Sequence, residues 1–481
     1  MLRICVACLV VACGRPAVQA PRVAPGAATE RPITSRQTDR DAIRLATGAD
    51  VAPPPNVEPA RIEVTSAREP RQRAQADRFF ADRQELVDAF VAWAQQDAIG
   101  DDLAGVARVI GDARVIALGE ADHGVHEYLA YRNRLAKHLV EHAGVTAILV
   151  ESGFTETTVA DDYVTGAGSA SSREAAAAVF SWAMPAALRD NVELVEWLRA
   201  YNATAARKVH IYGIDVTGGR HGRYTQSRLA ADAALAYLAQ HDPSAHARLE
   251  SRLAPLLPRF DVAGYLQLDD AQRSELTSAI AELLAAFKSL PDSAELRRAR
   301  QHAAMAAVLD TFFRQTRDRS TPKHLADAGL DGIRDATMAA NVMWALGEEG
   351  DGSRVLLFAH NAHVRRGPVV AWPVQLPPSV TIGEYLANSL HGRLVVIGAL
   401  HGDGPPTATL DGLFARVGRP SFLLDLRRAP EAVRAGLSQS WKFRLDAFRE
   451  LGLEPVWSAI PTKCFDALVY TATSSEASLA R

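Results

Sequence analysis

Four short apolar runs in this chain each stop at an ionisable residue: VIALGE at Glu120, AILVE at Glu151, VHIYGID at Asp215 and VLLFAH at His360. Runs this rich in Val, Ile and Leu, separated by helical stretches, read as strands buried on both faces of a parallel sheet. In an open parallel sheet the carboxyl ends of the strands share one edge. Segments far apart in the chain then deliver two Glu, an Asp and a His to one crevice. A single polar strand end marks no more than the chain surfacing. Four of them, two followed by further His residues, point to chemistry.

The chain has 481 residues, enough for one large domain or two, since single cores stop growing at roughly 250 to 300 residues. Hydrophobic content of 48% with 23% charged residues is that of a soluble globular protein. A formal charge of -3, from 53 basic and 56 acidic residues, provides no basic field for a phosphate backbone, so no nucleic-acid partner is expected. Arg365 and Arg366 form too short a cluster to change that.

The first 13 residues, MLRICVACLVVAC, carry one positive charge at Arg3 and then a short apolar stretch, the layout of a secretory signal. The stretch falls short of the about 20 apolar residues that cross a bilayer. Its end, Val10-Val11-Ala12-Cys13, resembles the lipobox of bacterial lipoproteins, which implies export to the periplasm or cell envelope and a lipid anchor at Cys13 as the only membrane contact. Only Cys13 and Cys464 would remain after cleavage, so no disulfide framework is expected. Residues 14–75 are dense in Pro, Ala, Arg and Thr without an apolar period, and read as a flexible tether.

Residues 76–481 are expected to form the folded domain: α/β, with a mostly parallel central sheet flanked by helices. Strands are predicted at 114–118, 145–150, 209–214, 354–359, 394–399, 422–426 and 467–470. The stretch from about 228 to 320 is Ala- and Leu-rich and nearly strand-free, and predicts an inserted helical subdomain covering the sheet edge.

The loop LGEADHGVHEYLAYR places Glu120 and His123 three residues apart where a helix should begin, a position whose backbone N–H groups favour anions. His126 and Glu127 follow, and Arg132 lies on the same helix. The loop FAHNAHVRRG repeats the spacing with His360 and His363. Such His and carboxylate groups suit zinc ligation, although no helical HExxH arrangement or nearby thiolate accompanies them. They equally suit acid–base work by a His whose tautomer a carboxylate fixes, with Glu120 or Glu151 as the partner of His123. GxSxG, GxGxxG and GxxxxGK[ST] motifs are absent, which leaves water activated by His as the nucleophile and calls for no cofactor.

Taken in order, LGEADHGVHE, AILVES, YGID, RDATMAANVMWAL and FAHNAHV resemble the erythromycin esterase family, also called succinoglycan biosynthesis related, from Ala113 to the closing strand FDALVY. The resemblance implies hydrolysis of a small-molecule ester or macrolide-type lactone by His-activated water, with no covalent protein nucleophile and no required metal. It places the general base on His123, acidic partners on Glu120 and Glu151, a second His on His360 and an Arg on Arg132. By position, Glu151 is expected to orient His123, and Arg132 or His360 to polarise the carbonyl. Asp215, His126, Asn361 and His363 are expected to contact substrate. Two alternatives stand beside this: an exported metal- or haem-binding lipoprotein using His360, His363 and Glu120, and an esterase acting on acylated polysaccharide.

Overall fold

The computed structural model describes residues 69–181, 187–219, 224–318, 330–367, 370–372, 380–402, 407–444 and 456–480. The signal, the lipobox at Cys13 and nearly all of the tether lie outside them. Helix α1 (Glu69–Ala81) starts inside the stretch read as tether and is followed by α2 (Gln84–Asp97), with Phe80, Phe90 and Trp93 buried.

Among the described residues ten strands follow: β1 (Val115–Glu120), β2 (Val145–Gly153), β3 (His210–Asp215), β4 (Arg354–His360), β5 (Val370–Trp372), β6 (Leu394–His401), β7 (Ser421–Asp425), β8 (Trp441–Arg444), β9 (Val456–Ala459) and β10 (Ala467–Thr471). Seven form one sheet in the order β3-β2-β4-β1-β6-β10-β7, parallel except for β7, which runs antiparallel to β10. Their sequences explain the placement. Successive residues alternate between two separate cores: Val115 and Ala117 on one face, Ile116 and Leu118 on the other, and likewise Val355 and Leu357 against Leu356 and Phe358. Both faces are covered, so both sets of positions are apolar. The small antiparallel sheet β5-β9-β8 was not expected; its strands are too short for a period to register.

The strand-free stretch folds as helices, including α5 (Arg228–His241), α6 (Pro243–Leu253), α7 (Asp270–Ala286) and α8 (Ala294–Asp318), numbered after α3 (His126–His142) and α4 (Arg189–Asn202). Asp242 separates α5 from α6 by accepting the Ala245 N–H at 3.0 Å, with Pro243 preset for the first turn. Leu238, Leu253, Leu283 and Phe313 pack into the same core as Val115 and Leu149, so the insertion covers one sheet face continuously. Arg298 of α8 binds Asp161 at 2.8 Å, and Asp161 binds His210 at the start of edge strand β3 at 2.9 Å. Helix α9 (Leu330–Glu349) then returns the chain to the sheet, and a four-residue turn, α10 (Asn361–Val364), follows β4. Cys464 is a buried free thiol, raised by burial to about 11.

Asn361 brackets β6 with both ends of its amide, donating to the Ala399 carbonyl at 2.8 Å and accepting the Ala399 N–H at 3.0 Å. Its carboxamide crosses Gly119, where a Cβ would lie 2.1 Å from Asn361 Oδ1. That amide is held at both ends and cannot swing aside. Gly119→Ala is therefore expected to cost about 1–3 kcal/mol of stability, read as a lowered denaturation midpoint.

Candidate functional site

Because β4 lies between β1 and β2, the ends of three neighbouring strands meet. Glu120 pairs in register with His360, and Val150, just before Glu151, with Phe358. Asp215 ends β3 on the far side of β2. All four ionisable strand ends are buried.

The chain turns beyond Glu120 and is left-handed at Gly124 (φ +71°) before α3 begins. This turn folds His123 back so that its Nδ1 lies 2.6 Å from Glu120 Oε1. Burial raises the Glu120 carboxyl above its usual value, against the opposing pull of His123. Glu120 Oε2 is buried without a hydrogen-bond partner among the described residues. For His123 burial acts downward, but the charge and hydrogen bond of Glu120, reinforced by Glu151 and Asp122, outweigh it and lift the imidazole to about 9. The orienting carboxylate is thus Glu120 and not Glu151: the three-residue turn brings the nearer carboxylate onto the ring.

Glu151 is engaged elsewhere. Its Oε1 accepts from Arg334 Nη2 at 2.8 Å and its Oε2 from the His360 backbone N–H at 2.8 Å, with His363 Nε2 at 3.5 Å. Burial would raise this carboxyl, but His363, His123 and Arg334 hold it well below the usual range. The same guanidinium grips Asp215 with Nε and Nη2, at 2.7–3.1 Å. Asp215 is fully buried in that fork, so the expectation that it contacts substrate is not met: its carboxylate neutralises Arg334.

His363 forms a second His–carboxylate pair, its Nδ1 2.5 Å from Asp335 Oδ1 and its Nε2 3.2 Å from Arg334 Nη1. Burial lowers its pKa, but Asp335 and Glu151 prevail and raise it. Arg334 and Asp335 were not singled out from sequence as site residues. The available signal was the polar pair inside the otherwise apolar helix IRDATMAANV.

His360 lies between the pairs, its ring 4.9 Å from that of His123. Its Nδ1 accepts the Ala362 N–H at 3.2 Å, which puts the proton on Nε2, and Nε2–H donates to the Ala121 carbonyl at 3.0 Å. Burial and the neighbouring charges of His123 and His363 push it down to about 3, so it is neutral. A neutral His bound at both nitrogens is poorly suited to polarise a carbonyl. Arg132 is equally occupied: it is buried, donates to Asn133 Oδ1 at 2.9 Å and to Asn191 Oδ1 at 2.8 Å, and lies over the Phe358 ring. It supports the loop from behind and offers no surface to a substrate. Two expected substrate contacts are also otherwise employed, Asn361 on the β6 backbone and His126 on Asp190 at 2.9 Å. Among the described residues, no three His, Cys, Asp or Glu side chains are grouped so as to hold a metal ion.

A set of imidazoles with pKa values driven apart by their own carboxylates, at the rim of a parallel sheet, is the arrangement expected of acid–base chemistry. The erythromycin esterase family model matches residues 140–474, beginning within α3 after the His123 loop. The chain is 23% identical over 281 residues to erythromycin esterase type II of Escherichia coli, covering 56% of this chain and 65% of that protein. Against erythromycin esterase type I of the same organism it is 25% identical over 308 residues, covering 60% and 70%. The matches thus span about two thirds of these relatives' lengths. Three solved structures share the fold. A Bacillus cereus protein has a TM-score of 0.67 at 20% identity over 82% of this chain and 99% of its own. A succinoglycan biosynthesis protein has 0.67 at 17% identity, over 82% and 98%. A mutant of the erythromycin esterase EreC in its open conformation has 0.58 at 17%, over 80% and 96%. With its family motifs in order and the model matched across most of its length, the chain belongs to the erythromycin esterase family.

Proposed function

We propose that this protein is a carboxylic ester hydrolase in which His123 activates water, and the observation that carries the reading is the 2.6 Å contact between His123 Nδ1 and Glu120 at the sheet rim. With Nδ1 held by Glu120, the base is Nε2. It removes a proton from water as the oxygen attacks the acyl carbon; the imidazolium formed is stabilised by Glu120 and returns the proton to the departing alkoxide. Acid and alcohol are released, and no bond to the protein forms. His363, whose pKa Asp335 and Glu151 raise, is suited together with Arg334 beside it to the negative charge of the tetrahedral intermediate.

Two substrate classes follow from the relatives and the sequence. The two erythromycin esterases support a macrolide-type lactone, and an acyl ester on a polysaccharide is the other class the sequence suggests. An exported location, the expectation from residues 1–13, would favour the second. The deciding assay is product release from a macrolide, an acylated polysaccharide and an aryl ester, with chelated protein. Hydrolysis of at least one is expected, reduced about 10²- to 10⁴-fold in kcat by His123→Ala. Full activity in that variant would remove His123 from the mechanism.

A base works in its deprotonated form, so kcat/KM should rise with pH through the His123 titration near 9. In Glu120→Gln the charge that lifts the imidazole is gone, and the limb should move down towards 6.5 while the maximal rate falls. Asp335→Asn should lower kcat about 10²-fold with little change in KM, because it removes the carboxylate that holds the His363 ring and raises its pKa; steady-state kinetics separate the two parameters.

A further inference from the structure

The loop that carries His123 belongs to neither strand nor helix, and the chain near residue 480 holds it. The Ala477 N–H donates to the Gly124 carbonyl at 2.8 Å, and the His126 N–H donates to the Ser475 carbonyl at 2.8 Å. These bonds make Val125 and Glu476 an antiparallel bridge. Glu127 closes it from the side: one carboxylate oxygen accepts the Ser475 N–H at 2.7 Å and the other the Ser475 hydroxyl at 2.9 Å. Three residues on, the same segment pairs with a second partner. The Arg189 N–H donates to the Ser478 carbonyl at 2.8 Å, the Ala480 N–H to the Ala187 carbonyl at 2.9 Å, and Leu188 bridges Leu479.

Residues 475–480 thus form a short extended strap between the His123 loop and the start of α4. Their contacts with the loop are backbone bonds on the residues directly after His123. Those at α4 fix the segment that supplies Asp190 to His126 and Asn191 to Arg132. The loop side of the strap is buried: Ala477 packs into the core that holds Tyr128 and Leu129 of α3.

We infer that this strap is a positioning element for catalysis, holding the His123 loop in register so that the imidazole stays on Glu120. The inference rests on the reading of His123 as the base, and it concerns residues some 350 positions away in sequence. A loop free to shift by about 1 Å would separate ring and carboxylate, and displacements of that size lower catalytic rates by up to about 10²-fold. The strap works without touching the reacting atoms.

Ala477→Pro tests it, since proline removes the N–H that donates to Gly124, while Ala477→Gly keeps that N–H and serves as the conservative control. In the full-length protein, Ala477→Pro is expected to lower kcat about tenfold with KM within about twofold, and Ala477→Gly to stay near the parent. NMR titration of the His123 ring supplies a readout independent of turnover: its midpoint should drop towards the ordinary imidazole range in Ala477→Pro as Glu120 moves off. Should that variant fail to fold, Glu127→Ala, which removes only the lateral clamp on Ser475, is expected to shift both quantities in the same direction by less. A lower melting temperature with unchanged kcat and unchanged His123 titration would overturn the proposal. If the parent hydrolyses no ester, the functional reading fails, and the titration alone decides: a downward shift supports the strap, an unmoved one refutes it.

Discussion

Two carboxylates, Glu151 and Asp215, lie at the carboxyl ends of neighbouring strands out of reach of water, and the guanidinium of Arg334 makes that arrangement tolerable. Leaving either charge buried without its partner would cost several kcal/mol. The arginine comes from α9 and not from the sheet, so the site exists once that helix docks. Docking is secured by Asn341, whose amide donates to the Ile214 carbonyl of β3 at 2.6 Å and accepts from Gln301 of α8 at 2.7 Å. Sheet edge, insertion and returning helix are thereby tied into one unit, and the buried ion cluster sets their register.

Around that cluster three imidazoles share a crevice yet differ in charge. His123 and His363 each own a carboxylate and are pushed up, whereas His360, buried between them and bound at both nitrogens to backbone groups, is pushed down. Similar side chains are assigned different work by their partners. The neutral ring also locks the turn it touches, because its Nε2–H holds the Ala121 carbonyl two residues before His123. From the other side, the strap holds Gly124, the residue directly after it on the chain's return. The base is braced both upstream and downstream.

Much of this was legible from the chain. All seven strands of the main sheet were readable because a parallel sheet covered on both faces needs apolar residues at every position, a pattern that survives without any knowledge of neighbours. The strand ends pointed to the crevice as well, because each apolar run breaks off at an ionisable residue that needs a polar partner when buried. The helical character of residues 228–318 was visible in their composition. Partner identities were not. Glu151 lies on the strand beside His360, and order along the chain cannot reveal that its carboxylate turns to Arg334 while Glu120 folds back onto His123. Arg334 and Asp335 read as polar positions of an amphipathic helix, since nothing local distinguishes a solvated arginine from one buried between two carboxylates. The bonds by which the Asn361 amide grips the β6 backbone, and the pairing of residues 475–480 with two distant segments, are made to main-chain groups that no residue type marks.

By itself, the sequence determined the strands and flanking helices of this protein and the edge at which its ionisable groups would gather, because these follow from hydrophobic period and chain direction. The tertiary structure decided which carboxylate meets which imidazole, and with it which ring is charged. Those choices depend on the order of strands across the sheet and on a helix arriving from more than a hundred residues away from Asp215, and electrostatic energies at 2.5–3.5 Å are set by spatial neighbours rather than neighbours along the chain.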